Sequence, residues 1–147
     1  MNDVVIREYK TENFNNLCKL LQQNIPTYFA VTEYQDFVNY LNNEIENYFV
    51  AQINNTIVGC GGINYKTKEK TAMISWDIIH PEYQGKGIGK LLLNHRISYI
   101  KQNYPTYKIV VRTSQLVHKF YEKQGFKLLE IHKNFWADGF DMYKMEL

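Results

Sequence analysis

The stretch Gln84-Gly85-Lys86-Gly87-Ile88-Gly89-Lys90 decides the fold of this 147-residue chain. It follows a segment rich in strand-forming residues and opens a segment in which apolar residues recur at helical spacing. Its glycines allow positive φ angles and a close approach of the backbone to a ligand. The N–H groups of a first helical turn have no partners within their helix, and the positive end of the helix dipole lies behind them. We therefore expect residues 84–90 to form an anion site that suits a pyrophosphate.

Two common nucleotide-binding loops do not match this stretch. A Walker A loop needs a glycine, four residues and then Gly-Lys-Ser/Thr, which here would put Gln84 at the first glycine and Leu91 at the serine or threonine. The dinucleotide fingerprint GxGxxG, begun at Gly85 or at Gly87, would put Lys90 or Leu92 at its last glycine. The spacing excludes both loops.

Outward from the loop, hydrophobic periodicity and turn residues predict the element order β, α, α, β, β, β, α, β, α, β, β. The predicted strands cover residues 4–9, 48–53, 57–65, 71–80, 107–112, 126–132 and 140–147. The predicted helices cover residues 12–24, a segment capped by Thr32 that ends at residues 42–43, a segment that follows the glycine loop, and residues 117–124. Because strands follow one another both in hairpins and across helices, we expect a mixed sheet covered by helices.

Several local features are predicted in more detail. The glycines within the strand 57–65 indicate a bulge or a close backbone approach, Gly125 is placed to end the last helix, and Asp138-Gly139 is typical of a hairpin turn. The helix after the loop is expected to present one apolar face, formed by Ile88, Leu91, Leu92, His95 and Tyr99.

Composition limits the classes of function. Hydrophobic residues make up 45% and charged residues 22% of the chain, as in a globular protein, and its length suits a single domain over residues 1–147. A net charge of +2 is too small for a nucleic-acid grip by counterion release. Aromatic residues reach 15%, with 12 tyrosines, and we expect some of them to line a pocket.

No segment approaches the ~18 consecutive apolar residues of a membrane helix, and the N-terminus does not read as a signal peptide. Cys18 and Cys60 have neither CxxC nor metal-ligand spacing. We therefore expect a cytoplasmic, reduced and metal-free protein that binds neither nucleic acid nor membranes. A homodimer is compatible with the sequence, which does not decide the oligomeric state.

Two motifs resemble those of the GNAT acetyltransferase superfamily. Gln84, Gly87 and Gly89 match its acyl-CoA loop Q/R-x-x-G-x-G/A, and residues 120–126, Phe-Tyr-Glu-Lys-Gln-Gly-Phe, resemble its YEKxGF helix. One predicted strand separates the two motifs, as in that superfamily, and the element order matches over essentially the whole chain. The resemblance implies an α/β (α+β) fold with a mixed, mostly antiparallel central sheet of about seven strands, flanked by four helices.

The resemblance also implies acetyl-CoA as co-substrate. The backbone of the strand before the loop, at residues 77–79 with Ile78 and Ile79, would pair with the pantetheine arm. The loop N–H groups would hold the pyrophosphate, and the side chains of Lys86 and Lys90 either add charge or are ordinary surface lysines. Ser114 or Gln115 would bond the pantetheine amides. The matching loop residues are Gln84, Gly85, Lys86, Gly87, Ile88, Gly89 and Lys90.

The reaction that the resemblance implies is the transfer of an acetyl group to an amine by direct attack. The amine must be neutral, whereas a lysine-like amine has a pKa of ~10.4 in solution, so a base must take up a proton. An N–H of the strand ending at Ile79 would stabilise the oxyanion. Tyr121 matches the tyrosine that protonates the leaving thiolate; its alternative role is an ordinary aromatic on an amphipathic helix.

The base is left open. Where some members of the superfamily carry a glutamate, this chain has Val110 and Met73. Asp77 interrupts an apolar stretch and is the first candidate, His80 is the second, and a water chain without a dedicated base is the third. Because both glutamates are absent, a non-catalytic, acyl-CoA-binding regulatory module on the same fold is the alternative function.

The resemblance places the acceptor pocket between the first two helices and the last hairpin. Aromatic and acidic side chains there suit an amine through cation–π contacts and charge pairing, although core packing is an alternative role for each of them. We expect a small-molecule amine or a peptide N-terminus as acceptor. The candidate pocket residues are Tyr28, Phe29, Glu33, Tyr34, Phe135, Trp136, Asp138 and Asp141.

Overall fold

Seven strands form one mixed sheet in the computed structural model, which describes residues 3–147. The spatial order of the strands is β1-β2-β3-β4-β5-β7-β6, and each neighbouring pair is antiparallel except β4 with β5. The strands are β1 Val5–Glu8, β2 Asn47–Ile53, β3 Thr56–Lys66, β4 Thr71–Ile79, β5 Lys108–Thr113, β6 Lys127–Ala137 and β7 Phe140–Glu146. The predicted mixed, mostly antiparallel sheet is confirmed.

Four α-helices cover the two faces of this sheet. They are α1 Phe14–Gln22, α2 Glu33–Asn43, α3 Ile88–Asn103 and α4 His118–Lys123. Side chains of α1 and α2 form one buried cluster with Tyr48 and Val50, whereas α3 and α4 bury Phe49 on the opposite face. This alternation along β2 is the period of two that a strand between two layers requires. None of the helices within residues 3–147 is long and apolar enough to cross a membrane.

The predicted turns have the expected backbone. Asn54 and Asn55, between β2 and β3, have φ angles of 48° and 67°, which asparagine tolerates better than most residues. Gly139 between β6 and β7 has φ 81°, and Gly125 after α4 has φ 100°. The hairpins and the end of α4 are therefore where the sequence predicted them.

The predicted apolar face of α3 was partly wrong. The residues that α3 buries are Ile88, Leu92, Leu93, Arg96 and Ile100, whereas Leu91 is 45% exposed. His95 is also exposed. The inward row follows a spacing of four residues and includes an arginine, which a pattern of apolar residues assigns to the solvent side.

The predicted cap of α2 was also wrong in its chemistry. Thr32 occupies the N-cap position, but its side chain makes no capping hydrogen bond. Instead, the carboxylate of Glu33 accepts the backbone N–H of Ala30 at 2.8 Å. The helix start is therefore held from its first turn by a buried acid.

The sheet opens between its two parallel strands. The pairing of β4 with β5 runs from Thr71 and Lys108 to Ile74 and Val111 and goes no further, although both strands continue. On its other side, the register of β4 against β3 shifts between Cys60 and Gly62, and the extra residue lies in β4, between Ser75 and Ile78. The bulge expected for the glycine-containing strand lies elsewhere, where Gly59 and Ile57 of β3 pair with Ala51 and Gln52 of β2. The two strands therefore part in the middle of the sheet, and the candidate site lies in that opening.

Candidate active site

A cavity of about 1080 Å³ occupies the opening between β4 and β5. Its walls come from segments far apart in the chain, namely the α1–α2 connection, β4, the glycine loop, β5, α4 and the β6–β7 hairpin. The cavity is therefore a product of the tertiary fold and not of any single motif.

The glycine loop forms one end of this cavity. Gly85 and Gly87 have φ angles of 74° and 83°, and an added Cβ at either glycine would meet no atom within 4 Å. Within residues 3–147, Leu91 is the first residue of α3 whose backbone N–H donates to a backbone carbonyl oxygen, that of Gly87, at 3.1 Å. The N–H groups at positions 88–90 are thus available to an anion, and the positive end of the helix dipole lies behind them.

Six of the seven predicted loop residues line the cavity. Lys86 does not, and its Nζ lies 5.3 Å from the centre of the Tyr83 ring. The positive charge of Lys86 therefore lies near the glycine loop but outside the cavity wall. The six lining residues are Gln84, Gly85, Gly87, Ile88, Gly89 and Lys90.

The end of β4 offers backbone groups to the cavity. The N–H of His80 donates to Val58 of β3, and Ile78 pairs with Cys60. Because alternate residues of an antiparallel strand direct their backbone groups to opposite sides, the N–H and C=O of Ile79 face away from β3. The carbonyl oxygen of Ile79 accepts Nδ2 of Asn24 at 3.2 Å.

Asp77 and Tyr121 meet at the middle of the cavity. The hydroxyl of Tyr121 donates to Oδ2 of Asp77 at 2.6 Å, and both residues line the cavity wall. The carboxylate of Asp77 also accepts Nη1 and Nη2 of Arg96, at 2.5 and 2.9 Å. The structure thus brings the two predicted catalytic side chains into direct contact, together with an arginine.

The surroundings of Tyr121 keep its hydroxyl protonated. Burial and the negative charge of Asp77 raise the pKa of Tyr121 well above 10, and the positive charge of Arg96 acts in the opposite direction. A phenol in this environment holds its proton throughout the neutral range.

A bulge in β4 directs Asp77 to this position. Trp76, the residue before it, has φ 48°, which is uncommon for a bulky side chain. Its carbonyl oxygen accepts the hydroxyl of Tyr48 at 2.7 Å, and its ring stacks on Phe29 with 6.2 Å between ring centres. The surrounding aromatic side chains therefore hold the backbone in this unusual conformation.

The other end of the cavity contains part of the predicted acceptor pocket. Burial raises the pKa of Glu33, which is only 6% exposed. Asp36 and Trp76 also line this end, beyond what the sequence predicted. The four predicted pocket residues that line the cavity are Tyr28, Phe29, Glu33 and Trp136.

The other four predicted pocket residues do not line the cavity. Tyr34 packs against the α1–α2 cluster, and Phe135 lies on the guanidinium of Arg112 at 5.6 Å. Asp141 accepts the N–H of Asn134 at 2.9 Å and so holds the β6–β7 hairpin. Asp138 belongs to the turn of that hairpin. Of the hairpin residues predicted for the pocket, Trp136 is the one that lines the cavity.

Ser114 lines the cavity, and its Oγ accepts the N–H of Leu116 at 3.2 Å. Gln115 does not line it, since its amide bonds the β6–β7 hairpin at Gly139 and Asp141, at 2.7 and 2.9 Å. Ser114 is therefore the one of these two candidates that is placed to meet a ligand.

The candidate bases differ in position. His80 does not line the cavity, and its Nδ1 accepts the N–H of Glu82 at 3.1 Å. Asp77 faces the cavity with 18% of its side chain exposed. Val110 is buried and Met73 lines the wall, and neither side chain ionises.

Sequence reasoning missed Arg96 and Asn24. Both are buried polar residues, and their partners lie 19 and 55 residues away in the chain. For Arg96 one signal was present, because it extends the row Ile88–Leu92 by one more step of four residues.

Comparisons with known proteins agree with this architecture. The sequence profile of a family described as acetyltransferase (GNAT) domain matches residues 10–147. A protein of Saccharolobus solfataricus named N-alpha-acetyltransferase is 29% identical over 97% of this chain and 92% of its own length. A [ribosomal protein bS18]-alanine N-acetyltransferase of Haemophilus influenzae is 30% identical over 90% of this chain and 87% of its own length.

The fold has solved counterparts as well. The crystal structure of an aminoglycoside 6'-N-acetyltransferase complexed with coenzyme A superposes with a TM-score of 0.76. The match covers 97% of this chain and 96% of that one, at 16% sequence identity. At this identity the likeness concerns the fold.

Proposed function

Since the chain belongs to the GNAT acetyltransferase family, we propose that it transfers an acetyl group from acetyl-CoA to a primary amine by direct attack. The family uses acetyl-CoA, and acetyl transfer is its activity. One observation carries the finer proposal: a single cavity joins the anion-binding loop at one end to an aromatic and acidic pocket at the other, with Tyr121 and Asp77 between them. We propose that residues 1–147 form one domain that performs both tasks.

The donor would lie along β4 and the glycine loop. The N–H groups at positions 88–90, the positive φ angles of Gly85 and Gly87, and the nearby Lys90 suit two linked phosphates. Ser114 would donate its hydroxyl to an amide of the pantetheine arm. The edge of β4 that faces away from β3 would receive that arm like an added strand, beside the Ile79 carbonyl that accepts Asn24, with Ile78 holding β4 against β3.

The acceptor would enter from the opposite end. Tyr28, Phe29 and Trp136 provide aromatic surface, and Glu33 and Asp36 provide negative charge. Such a wall attracts an ammonium group through cation–π contacts and charge pairing. This composition supports a primary amine, either of a small molecule or of a peptide N-terminus.

Tyr121 is the proposed general acid. The amine nitrogen forms a bond to the carbonyl carbon, and the backbone N–H of Ile79 faces the side on which the oxyanion develops. When the carbon–sulfur bond breaks, its electron pair goes to sulfur and the hydroxyl proton of Tyr121 passes to the thiolate. The acceptor nitrogen loses two protons: the ammonium gives one to water before it attacks, and the proton that the nitrogen loses after the new bond has formed restores Tyr121. One proton is therefore released for each amide and CoA thiol formed.

Water in the cavity is the proposed acceptor of the amine proton. The carboxylate of Asp77 already accepts two hydrogen bonds from Arg96 and one from Tyr121, which fills most of its acceptor positions. His80 lies outside the cavity wall. Asp77 would therefore serve the reaction through Tyr121 rather than by deprotonating the amine.

The experiment compares the wild type with Tyr121→Phe. Calorimetry would measure acetyl-CoA binding, and thiol release would measure turnover with a panel of peptides with free N-termini, amino acids and diamines. We expect equal acetyl-CoA affinity for the two proteins and a kcat about 10²-fold lower for Tyr121→Phe, because only the proton donor is lost. Tyr107→Phe, outside the cavity, is the matched control and should behave as wild type.

The possible outcomes separate the alternatives. A wild type that does not bind acetyl-CoA contradicts the proposal. Binding without thiol release for any amine supports a non-catalytic, acyl-CoA-binding regulatory module instead. Equal turnover by Tyr121→Phe contradicts the role of Tyr121 and leaves acetyl transfer standing.

A further inference from the structure

A fully buried arginine in the middle of α3 contacts the wall of the candidate active site. Arg96 is 0% exposed, and its Nε donates to the carbonyl oxygen of Leu92 at 3.1 Å. Its Nη1 donates to the carbonyl oxygen of Gly62, also at 3.1 Å, and Nη1 and Nη2 together hold both oxygens of Asp77. The guanidinium is therefore bound on three sides by groups that cannot easily move.

The backbone of β3 is shaped around this ion pair. A Cβ at Gly61 would lie 2.5 Å from Oδ1 of Asp77 and 2.7 Å from Nη1 of Arg96, so that only glycine leaves room. The register shift of β3 against β4 lies at the same place, between Cys60 and Gly62. Removing two charges from water is costly, and apolar residues of similar volume often stabilise a core equally well. Stability alone is therefore a weak explanation for the pair.

The carboxylate of Asp77 connects Arg96 to Tyr121. The phenol has a single hydrogen, which lies on the Asp77 side of its oxygen, at an O–O distance of 2.6 Å. Phe120 and Phe126 contact the Tyr121 ring edge to face, at 5.0 and 5.6 Å between ring centres. The ring is therefore held in place, and rotation of the hydroxyl hydrogen is the motion left to this group.

The two charges act on that hydrogen in opposite directions. The negative charge of Asp77 raises the pKa of Tyr121, and the positive charge of Arg96 lowers it. Four other titratable side chains interact electrostatically with Asp77, Arg96 or Tyr121. Burial raises the pKa of two of them, Tyr48 and Cys60. The four side chains are Tyr40 of α2, Tyr48 of β2, Cys60 of β3 and His95 of α3.

We propose that Arg96 is a positioning residue for the transferase reaction: it aims the carboxylate of Asp77, which in turn holds the Tyr121 hydroxyl at the point where the thiolate leaves. This inference rests on the proposed function, in which Tyr121 donates the proton. As the carbon–sulfur bond breaks, the Tyr121 hydroxyl gives up its hydrogen bond to Asp77 and passes its proton to sulfur. The positive charge of Arg96 then offsets the repulsion between the new phenolate and Asp77.

The test separates positioning from folding by replacing both charges at once. In the apolar pair variant, Asp77→Leu/Arg96→Met, no buried charge is left alone, so we expect it to fold with a Tm near that of the wild type. Its kcat should fall about 10-fold to 10²-fold, with acetyl-CoA affinity and KM unchanged. The control Glu130→Gln/Lys144→Met removes the exposed ion pair between β6 and β7 and should leave kcat unchanged.

A double-mutant cycle shows whether the pair of Asp77 and Arg96 acts through Tyr121. When the apolar pair variant is made in the Tyr121→Phe background, no further loss of kcat is expected. Arg96→Lys, which keeps the charge but not the two-pronged geometry, should retain an intermediate kcat. In NMR spectra with ¹³Cζ-labelled tyrosine, the Tyr121 signal, assigned by its loss in Tyr121→Phe, should shift in the apolar pair variant.

Four outcomes would overturn this inference. A wild-type kcat for the apolar pair variant, or an equal loss in both backgrounds, would reduce the pair to a structural feature and leave the proposed function intact. An unmoved Tyr121 signal would mean that the pair does not hold the hydroxyl. A wild type without any thiol release contradicts the proposed function, and this inference with it.

Discussion

At the scale of single residues, Glu33 has a charge that the fold disfavours. Burial raises its pKa above the ordinary value of 4.5, and the hydrogen bond from Ala30 only partly compensates. The folded state therefore favours the protonated acid. That contribution to stability is complete below pH 4.5 and is lost as the pH rises through the raised pKa. At neutral pH an ionised Glu33 costs stability, which is consistent with a carboxylate kept for an amine.

Glu33→Gln tests this trade-off. The amide can still accept the N–H of Ala30, but it has no charge to desolvate, so we expect the free energy of unfolding at pH 8 to rise by about 0.5–2 kcal/mol. The gain should shrink toward pH 4, where the wild-type acid is protonated. Urea unfolding at both pH values measures the change in stability. In kinetic assays, the KM of Glu33→Gln for the amine should be higher than that of the wild type. A variant that is less stable at pH 8 would argue against an ionised, buried Glu33.

At the scale of elements, the glycine loop combines a left-handed backbone with the start of α3. Gly87 occupies the N-cap position with φ 83°, in the left-handed region that glycine enters at little cost. Gly89 packs under α4, since a Cβ there would lie 3.4 Å from the ring of Phe120. The same residues that direct the N–H groups outward therefore also join α3 to α4.

Gly87→Ala should weaken acetyl-CoA binding about 10-fold, because an alanine at this φ costs about 1–2 kcal/mol and shifts the loop N–H groups. Gly139→Ala is a matched control, since Gly139 has φ 81° and equally open surroundings but lies in the β6–β7 turn. It should lose similar stability while binding acetyl-CoA as the wild type does. Calorimetry and thermal unfolding distinguish the two effects, and equal affinities in both variants would show that the loop does not hold the donor.

At the scale of the whole molecule, Asn24 ties the acceptor end of the cavity to the donor strand. Its side-chain Nδ2 donates to the backbone carbonyl oxygens of Leu20 at 2.9 Å and of Ile79 at 3.2 Å, and its backbone carbonyl oxygen accepts the N–H of Tyr28 at 2.9 Å. The segment that contains Tyr28 and Phe29 is thus attached directly to β4. Movement of either wall would change the other.

Asn24→Ala should destabilise the fold by about 1–3 kcal/mol, because it leaves a buried carbonyl without its donor. We also expect KM to rise for both the amine and acetyl-CoA, since both walls depend on this contact. Asn43→Ala, on the exposed end of α2, serves as the control and should change neither quantity. Unfolding curves and two-substrate kinetics measure the effects; an increase in only one KM would show that the two walls are independent.

Much of the architecture follows from local patterns. The strand over residues 48–53, the asparagine and Asp-Gly turns, and Gly125 after α4 depend on neighbours a few residues apart, and each appeared where expected. The mixed, seven-stranded sheet could be predicted for the same reason. The loop at residues 84–90 is equally local, because its N–H groups belong to one helix start.

Local sequence patterns predict only part of the candidate site. Phe135 and Trp136 both lie on Arg112 at 5.6 Å, and of the two only Trp136 lines the cavity, a difference that the sequence did not predict. Arg96 was not among the predicted site residues, and the bulge at Trp76 that turns Asp77 toward it has no signature in spacing. The sequence thus specifies the elements and the anion loop, since short-range backbone physics governs both. The contacts among Asp77, Arg96 and Tyr121 span 19 and 44 residues, and they exist only once packing has buried all three side chains together.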